Sequence, residues 1–522
     1  MHSPLDADRT MLGDLPEHQR HRILSGMRWT VWLSAFAAPF GLAISFLLAR
    51  VGPETLGVYG LLGVYSALTS AFMYFGGDSV IMRFIPDCRD DDRASFLVSY
   101  LLVILAIISG WLVFAWFCPV AIRLALGKTG GDRFHFLILC LAVAPIVFAM
   151  VIASLKGMLE IRISQVLAKS LTIISLAVYA ALFVFDRALL SAHPLAVIWS
   201  VYLGITAILA VVGGVRLIRL FQSPRLRWYL PDGFWRYAIH TQQVSFTSFF
   251  AGKLDYVLIV GFGGLALLGR YAAVMAVATI VWMVSWYFMD TLLPSLTNTI
   301  AARNFTGAAQ VFTLHMRILF LVVTAASCAV MVLAVPATTM LGPKYASLGG
   351  PIIFMALCFG LASSVAVGGT VLSSIGRQQL ALWTNVLNGC LFVGLFLAMW
   401  PRWNLVGAVV AYGTAVVISY VILMAIALKT ARFLPSIAAL WLKSAAVQAL
   451  VAFVAWWWMP LQLVSTVLVW LSAVGLFLWL AGYDFAECQG LVQTFLPGMV
   501  GRLATNPEEP LTELVERQIV SR

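Results

Sequence analysis

The sequence predicts an all-α polytopic membrane protein of about fourteen transmembrane helices, built as two six-helix lobes in pseudo-two-fold repeat with two further helices at the end. Three observations lead there. Of 522 residues, 62% are apolar and 11% charged, and mean hydropathy is +0.95, values that a soluble chain does not reach. A helix needs about 20 apolar residues to cross a hydrocarbon core of about 30 Å, and apolar runs of that size recur along the chain between charged and turn residues. A shift of 212 residues also lays one half of the chain on the other.

The polar, mixed-charge segment 1–28 is read as a cytoplasmic lead-in. No small-residue cleavage pattern follows the first apolar run, so that run is read as a retained span. Spans are expected at 29–49, 57–82, 96–117, 134–155, 167–185 and 195–217, which form the N-lobe over 29–217. Residues 218–236, with Pro224, Pro231 and several arginines, make the inter-lobe linker and the expected hinge. Spans at 237–261, 271–294, 313–336, 351–373, 380–399 and 406–428 form the C-lobe over 237–428. Two more, 438–459 and 464–482, fall within 429–482, and 483–522 is a cytoplasmic tail.

The repeat is carried by Gly52 on Gly264, Leu56-Gly57-x-Tyr59 on Leu268-Gly269-x-Tyr271, and Asp78 on Asp290. The acidic pair weighs most, because carboxylates inside spans are few. Six spans is an even number, so the two copies share one orientation and flank an axis along the membrane normal. Of the 33 Lys and Arg, about three in four fall on the side that holds both termini, which places the termini in the cytoplasm.

Composition and motifs also exclude. The net charge of +11 follows topology rather than a basic tract with interleaved aromatics, so no nucleic-acid partner is expected. Seven cysteines show no paired metal-ligand spacing, which leaves no metal site and no cofactor. GxSxG, HExxH and P-loop patterns are missing and no connection is long enough for a catalytic domain, so the chain is not read as an enzyme.

Two parallel copies enclose a cleft that can open to either side, the geometry of alternating access. Lys253 and Asp255 lie inside span seven, where a charge costs several kcal/mol unless it meets a partner or a wet cavity. Two residues apart on a helix, they point away from each other. Lys253 is either substrate-facing or ion-paired; Asp255 is either in the cavity or interfacial. Arg28, Arg83 and Arg270 flank the cleft and could hold phosphate oxygens bidentately, or they serve only as topology determinants. Asn385 and Asn388 in span eleven, with Gln242 and Gln243 in span seven, are polar glue or sugar contacts. Asp78 and Asp290 are candidates for a gate or for paired helix-end carboxylates. Pro39 in span one and Gly252 in span seven are expected flex points.

The segment Lys253-Leu254-Asp255-Tyr256-Val257-Leu258-Ile259 leading to Leu268-Gly269-Arg270-Tyr271 resembles the oligosaccharide flippases of bacterial polysaccharide biosynthesis. So do Leu341-Gly342-Pro343-Lys344-Tyr345, Ile375-Gly376-Arg377, the asparagines 385 and 388, and Gly407-Ala408. These flippases belong to the multidrug/oligosaccharidyl-lipid/polysaccharide flippase superfamily, and the resemblance covers roughly residues 25–480. It implies a carrier for an oligosaccharide repeat unit linked to undecaprenyl pyrophosphate, used in surface or exopolysaccharide biosynthesis such as that of lipopolysaccharide. It further implies membrane lipids as surroundings and a polysaccharide polymerase and export machinery as partners. Asp255 matches the aspartate that commonly follows the start of span seven in this family. The alternatives are a cation-coupled multidrug antiporter of the same superfamily, a membrane polymerase or ligase, and a membrane scaffold that transports nothing.

Overall fold

A computed structural model describes residues 36–37, 39–86, 88–117, 143–158, 160–221, 227–301, 303–457 and 463–482. Among them every regular element is helical. In chain order the helices are α1 (Pro39–Val51), α2 (Pro53–Phe72), α3 (Gly77–Phe84), α4 (Asp90–Phe117), α5 (Val143–Gly157), α6 (Ile161–Phe185), α7 (Arg187–Ala192) and α8 (Pro194–Leu220). The segment Phe234–Ala301 is two helices, α9 (234–263) and α10 (265–301), which meet at Gly264 with φ 75° and ψ −178°. Then come α11 (Phe305–Val332), α12 (Ala334–Leu341), a 3-10 turn at Pro343–Leu348, α13 (Gly349–Ser363) and α14 (Gly368–Ser374). Gln378–Thr430 again holds two helices, α15 (378–403) and α16 (405–430), separated at Asn404 with φ 44°. α17 (Ala438–Trp457) and α18 (Leu463–Ala481) close the bundle.

Nine helical segments among the described residues are long and apolar enough to cross a membrane, two of them hold two helices each, and three shorter apolar helices pack beside them. Local signals set the boundaries. Asp186 caps α7 by accepting from the Leu189 amide at 2.9 Å, and Asn304 caps α11 by accepting from the Gly307 amide at 2.8 Å.

Two expected spans are broken. The run 57–82 is not one helix: Gly76 and Gly77 take φ 75° and 59°, a left-handed pair open to glycine, and divide it into α2 and α3. The freed backbone is satisfied by the next half of the chain, since the Gly76 amide donates to Gln242 Oε1 at 2.9 Å and Gln242 Nε2 donates to the Ala71 carbonyl. Gln242 is therefore glue. The run 351–373 is likewise split between α13 and α14, and there Ser285 donates to the Ser363 carbonyl at 3.0 Å and Trp441 to the Leu361 carbonyl at 3.1 Å. Gly368 lets α14 close on α16: a Cβ at this position would stand 2.9 Å from the Met424 Cα.

The expected hinge is partly strapped. Residues 227–229 run along α4, with Arg227 on Asp92 at 2.8 Å, the Arg227 amide on Ser95 at 3.2 Å and the Tyr229 amide on Ser99 at 2.9 Å. Asp92, Ser95 and Ser99 share one helix face, which is why a single straight segment can engage all three. Residues 222–226 lie outside the described residues.

The bundle has two ends, called here the Arg50 end and the Arg227 end. Near the Arg50 end one core runs through both halves of the chain, joining Leu56, Leu61 and Tyr65 of α2 with Leu268, Tyr271 and Val274 of α10. Toward the Arg227 end a second core packs α3, α4, α5 and α8 with only Phe234 and Ala238 from the later half. α17 and α18 dock on the later half, where Ser444 and Thr324 hydroxyls meet at 2.7 Å and Trp470 donates to the Ala325 carbonyl at 2.9 Å.

Candidate functional site

The seal at the Arg50 end is made by the repeat itself. A Cβ on Gly57 would stand 2.2 Å from the Leu265 carbonyl oxygen, and one on Gly269 would stand 1.7 Å from the Pro53 carbonyl oxygen. Leu265 is Pro53 shifted by 212 residues, just as Gly269 is Gly57 shifted by 212. The contact is thus self-complementary, the same backbone pair used twice as across a two-fold axis. Only glycine permits helices to approach this closely. Arg50 adds a strap from the other side, with Nε donating to the Met340 carbonyl at 3.0 Å, and Arg187 Nη2 donates to the Arg50 carbonyl at 2.6 Å.

Below that seal the helices part. One cavity of about 870 Å³ lies against the earlier half, lined among others by Ser45, Tyr59, Ser66, Lys169, Thr172 and Tyr202. A second of about 900 Å³ lies against the later half, lined among others by Trp282, Trp286, Asn385, Asn388, Tyr412 and Tyr420. They share Lys253, Tyr256, Met275 and Thr279, so they are two compartments of one space. Its lining on α10 runs from Ala272 to Leu293, roughly 30 Å at 1.5 Å per residue. It therefore extends away from the seal, toward the Arg227 end.

Lys253 is the partition. Its Nζ stands 5.0 Å from the centroid of the Tyr256 ring, and Gly63 of α2 leaves it room, since a Cβ there would lie 3.8 Å away. A cation over an aromatic face is held by the ring quadrupole. Among the described residues no carboxylate pairs with it within 4 Å. Asp255 points the other way, 1% exposed and lining neither compartment. Its Oδ2 accepts from the Tyr271 hydroxyl at 2.6 Å, and its Oδ1 has no partner. The two charges of span seven thus split as their spacing predicts, one to the cavity and one into the core between α9 and α10.

The other candidates scatter. Asn385 lines the later compartment, as do Gly252 and Asn388, about one turn along the same helix as Asn385. α9 passes through Gly252 without a break; the break falls at Gly264, the repeat mate of Gly52. Pro39 lines the earlier compartment at the start of α1. Asp78 accepts from the Tyr74 hydroxyl at 3.0 Å and lines a separate cavity of about 220 Å³. Arg270 and Arg83 are exposed and line neither compartment. Arg28 and the side chain of Asp290 lie outside the described residues.

Lys169, which sequence reasoning does not single out, lines the earlier compartment with Lys253. The available signal was depth: α6 begins at Ile161, so Lys169 sits two turns inside a helix, about 12 Å from its start. Trp282 and Trp286, which sequence reasoning does not single out either, line the later compartment, and their four-residue spacing on one helix face is the signal that could have found them.

A bundle sealed at one end by a symmetric pair of glycine contacts, around one large cavity with a shared lysine, is a polytopic membrane architecture. Solved structures carry the same fold. The lipid II flippase MurJ in an inward closed conformation matches with a TM-score of 0.64 at 12% identity, covering 90% of this chain and 99% of that one. A multidrug resistance MATE family transporter of the MOP superfamily, inward-facing, matches with a TM-score of 0.60 at 13% identity over 76% of this chain and 94% of that one. A MATE transporter of Vibrio cholerae matches at 0.51 and 14% identity over 79% and 98%. No known family description matches the sequence, and no curated protein does.

Proposed function

We propose that the protein is a flippase that moves an oligosaccharide linked to undecaprenyl pyrophosphate across the bacterial inner membrane by alternating access. The observation that carries this reading is the charge of the earlier compartment. Lys169 and Lys253 line it and no carboxylate does among the described residues, an arrangement suited to a pyrophosphate and hostile to a cationic cargo. The fold shared with a lipid II flippase supports it.

In this reading segments 29–217 and 237–428 are the two lobes, 218–236 joins them, and the Arg227 end with both termini faces the cytoplasm. The Gly57–Gly269 contact is the outer gate, closed here, and the cargo enters from the Arg227 end. Rocking of the lobes opens the glycine contact and releases the cargo to the outer leaflet. A polymerase and export machinery would receive it there.

The competing reading, a cation-coupled multidrug antiporter, is favoured by the MATE neighbours and by the aromatic later compartment. A deletion strain separates the two. Accumulation of undecaprenyl-pyrophosphate-linked oligosaccharide on the cytoplasmic side, with loss of surface polymer, is the expected result. Unchanged polymer with new drug sensitivity would assign the antiporter, and loss of polymer without the intermediate would overturn flipping. Lys253→Ala, inserted at normal level, is expected to abolish polymer export, and wild-type yield would remove Lys253 from the site.

A further inference from the structure

The two compartments differ in chemistry as well as position. The earlier one carries both lysines. The later one has Lys253 at its border as its only charge among the described lining residues, and beyond it a wall of amides, hydroxyls and aromatic rings. We propose that this later compartment is the oligosaccharide subsite, taking an uncharged sugar chain on the Trp282, Trp286, Asn385 and Asn388 wall while the lysines hold the phosphate. The inference rests on the flippase reading above.

Trp282 and Trp286 lie one turn apart on α10 and so share a face. Trp282 is fixed by an edge contact with Tyr420 at 5.0 Å and a tilted contact with Phe359 at 5.5 Å between ring centroids. Trp286 is 56% exposed and lines the same compartment. Flat aromatic surface beside hydrogen-bonding groups suits a sugar, which has apolar C–H faces and a rim of hydroxyls.

The amide across the cavity supplies an independent observation. Asn388 is 5% exposed, and its Nδ2 donates to the Ala251 carbonyl at 3.2 Å. Its Oδ1 has no hydrogen-bond partner. A buried acceptor left open costs free energy, and a hydroxyl donor arriving in the cavity satisfies it. Asn385, about one turn earlier on α15, lines the same wall. With no carboxylate among the described lining residues and Lys253 shared with the phosphate side, neither a basic drug nor a strongly acidic glycan matches this wall as well as a neutral one.

The test uses the full-length protein in detergent and two probes: undecaprenyl pyrophosphate, and the same lipid bearing a neutral tetrasaccharide. The glycosylated lipid is expected to bind more tightly. Trp286→Ala is expected to weaken the glycosylated lipid by about tenfold, the scale of one lost aromatic contact, and to leave the bare lipid within twofold. Trp286→Phe is expected to restore most of the loss, and Asn385→Ala to repeat the pattern of Trp286→Ala more weakly. Lys253→Ala is expected to weaken both lipids. If Trp286→Ala and Asn385→Ala leave the glycosylated lipid unchanged while Lys253→Ala weakens both, the subsite is wrong and the flippase reading stands. Equal loss on both lipids in Trp286→Ala also overturns the subsite, since the residue then acts on the carrier. If wild-type protein binds neither lipid, the flippase reading fails and takes the subsite with it. Tighter binding of an acidic tetrasaccharide lipid than of the neutral one overturns the assignment of charge.

Discussion

Replacing Gly269 by alanine tests the seal at the Arg50 end. The new Cβ would stand 1.7 Å from the Pro53 oxygen, 2.6 Å from its carbonyl carbon and 2.9 Å from the Gly57 nitrogen. Carbon and carbonyl oxygen approach to about 3.3 Å in close backbone contacts, so α2 and α10 must separate by roughly 1.6 Å. All three obstacles are backbone atoms, and no rotamer change relieves them. Overpacking of this kind costs about 1–3 kcal/mol, and backbone obstacles put the cost at the upper end. At about 1.4 kcal/mol per decade, the ratio of sealed to open molecules should fall by about two decades. Spin labels at Glu54 and Lys344, both exposed at this end on opposite halves, read the change directly by pulsed electron resonance in a cysteine-replaced background. A longer distance population should rise in Gly269→Ala and equally in Gly57→Ala. The double variant should add less than the sum, because both relieve one contact. Gly204→Ala, where a Cβ meets nothing within 4 Å, is the control. An unchanged distance distribution in folded Gly269→Ala, or the same shift in the control, would refute the reasoning.

Other outcomes follow from the same geometry. Arg50→Ala removes a charged donor from the Met340 carbonyl and should shift the same label distances in the same direction, but by less than tenfold in population, because the group is exposed. Tyr271→Phe takes a hydrogen-bond donor from a carboxyl that is 1% exposed; thermal unfolding in detergent should show a loss of about 1–3 kcal/mol, and an unchanged midpoint would mean the pair contributes nothing. Gly360→Ala puts a Cβ 2.0 Å from Gln448 Oε1 and 2.5 Å from Ser327 Oγ. It should loosen α17 from α13, read as faster hydrogen exchange over 438–457, and wild-type exchange there would count against that docking.

Much of this architecture was legible in the chain. The membrane-spanning helical class follows from apolar run length, because in lipid each backbone group must be satisfied within its own helix and the helix must match the membrane thickness. The opposed directions of Lys253 and Asp255 follow from 100° per residue alone. The LGxY repeat was legible as symmetry, yet its meaning was not. That Gly57 and Gly269 would touch each other depends on how the two halves close, which is a property of tertiary packing. The breaks at Gly76 and Gly368 were hidden in the same way: an apolar run gives no sign of a break when the partner that satisfies it, Gln242 or Trp441, lies on a distant helix.

The sequence by itself determined what is local or summed along the chain: the helical class, the number and length of spans, the repeat, and the cost that forces each buried charge to find an environment. Only the tertiary structure decided what depends on residues far apart in the chain: that Lys169 and Lys253 line one compartment, that Asp255 turns to Tyr271 instead of the cavity, and that Arg83 and Arg270 stay outside it. The physical reason is range. Helical periodicity fixes which residues share a face, while the space that face looks into is created only when helices from both halves pack.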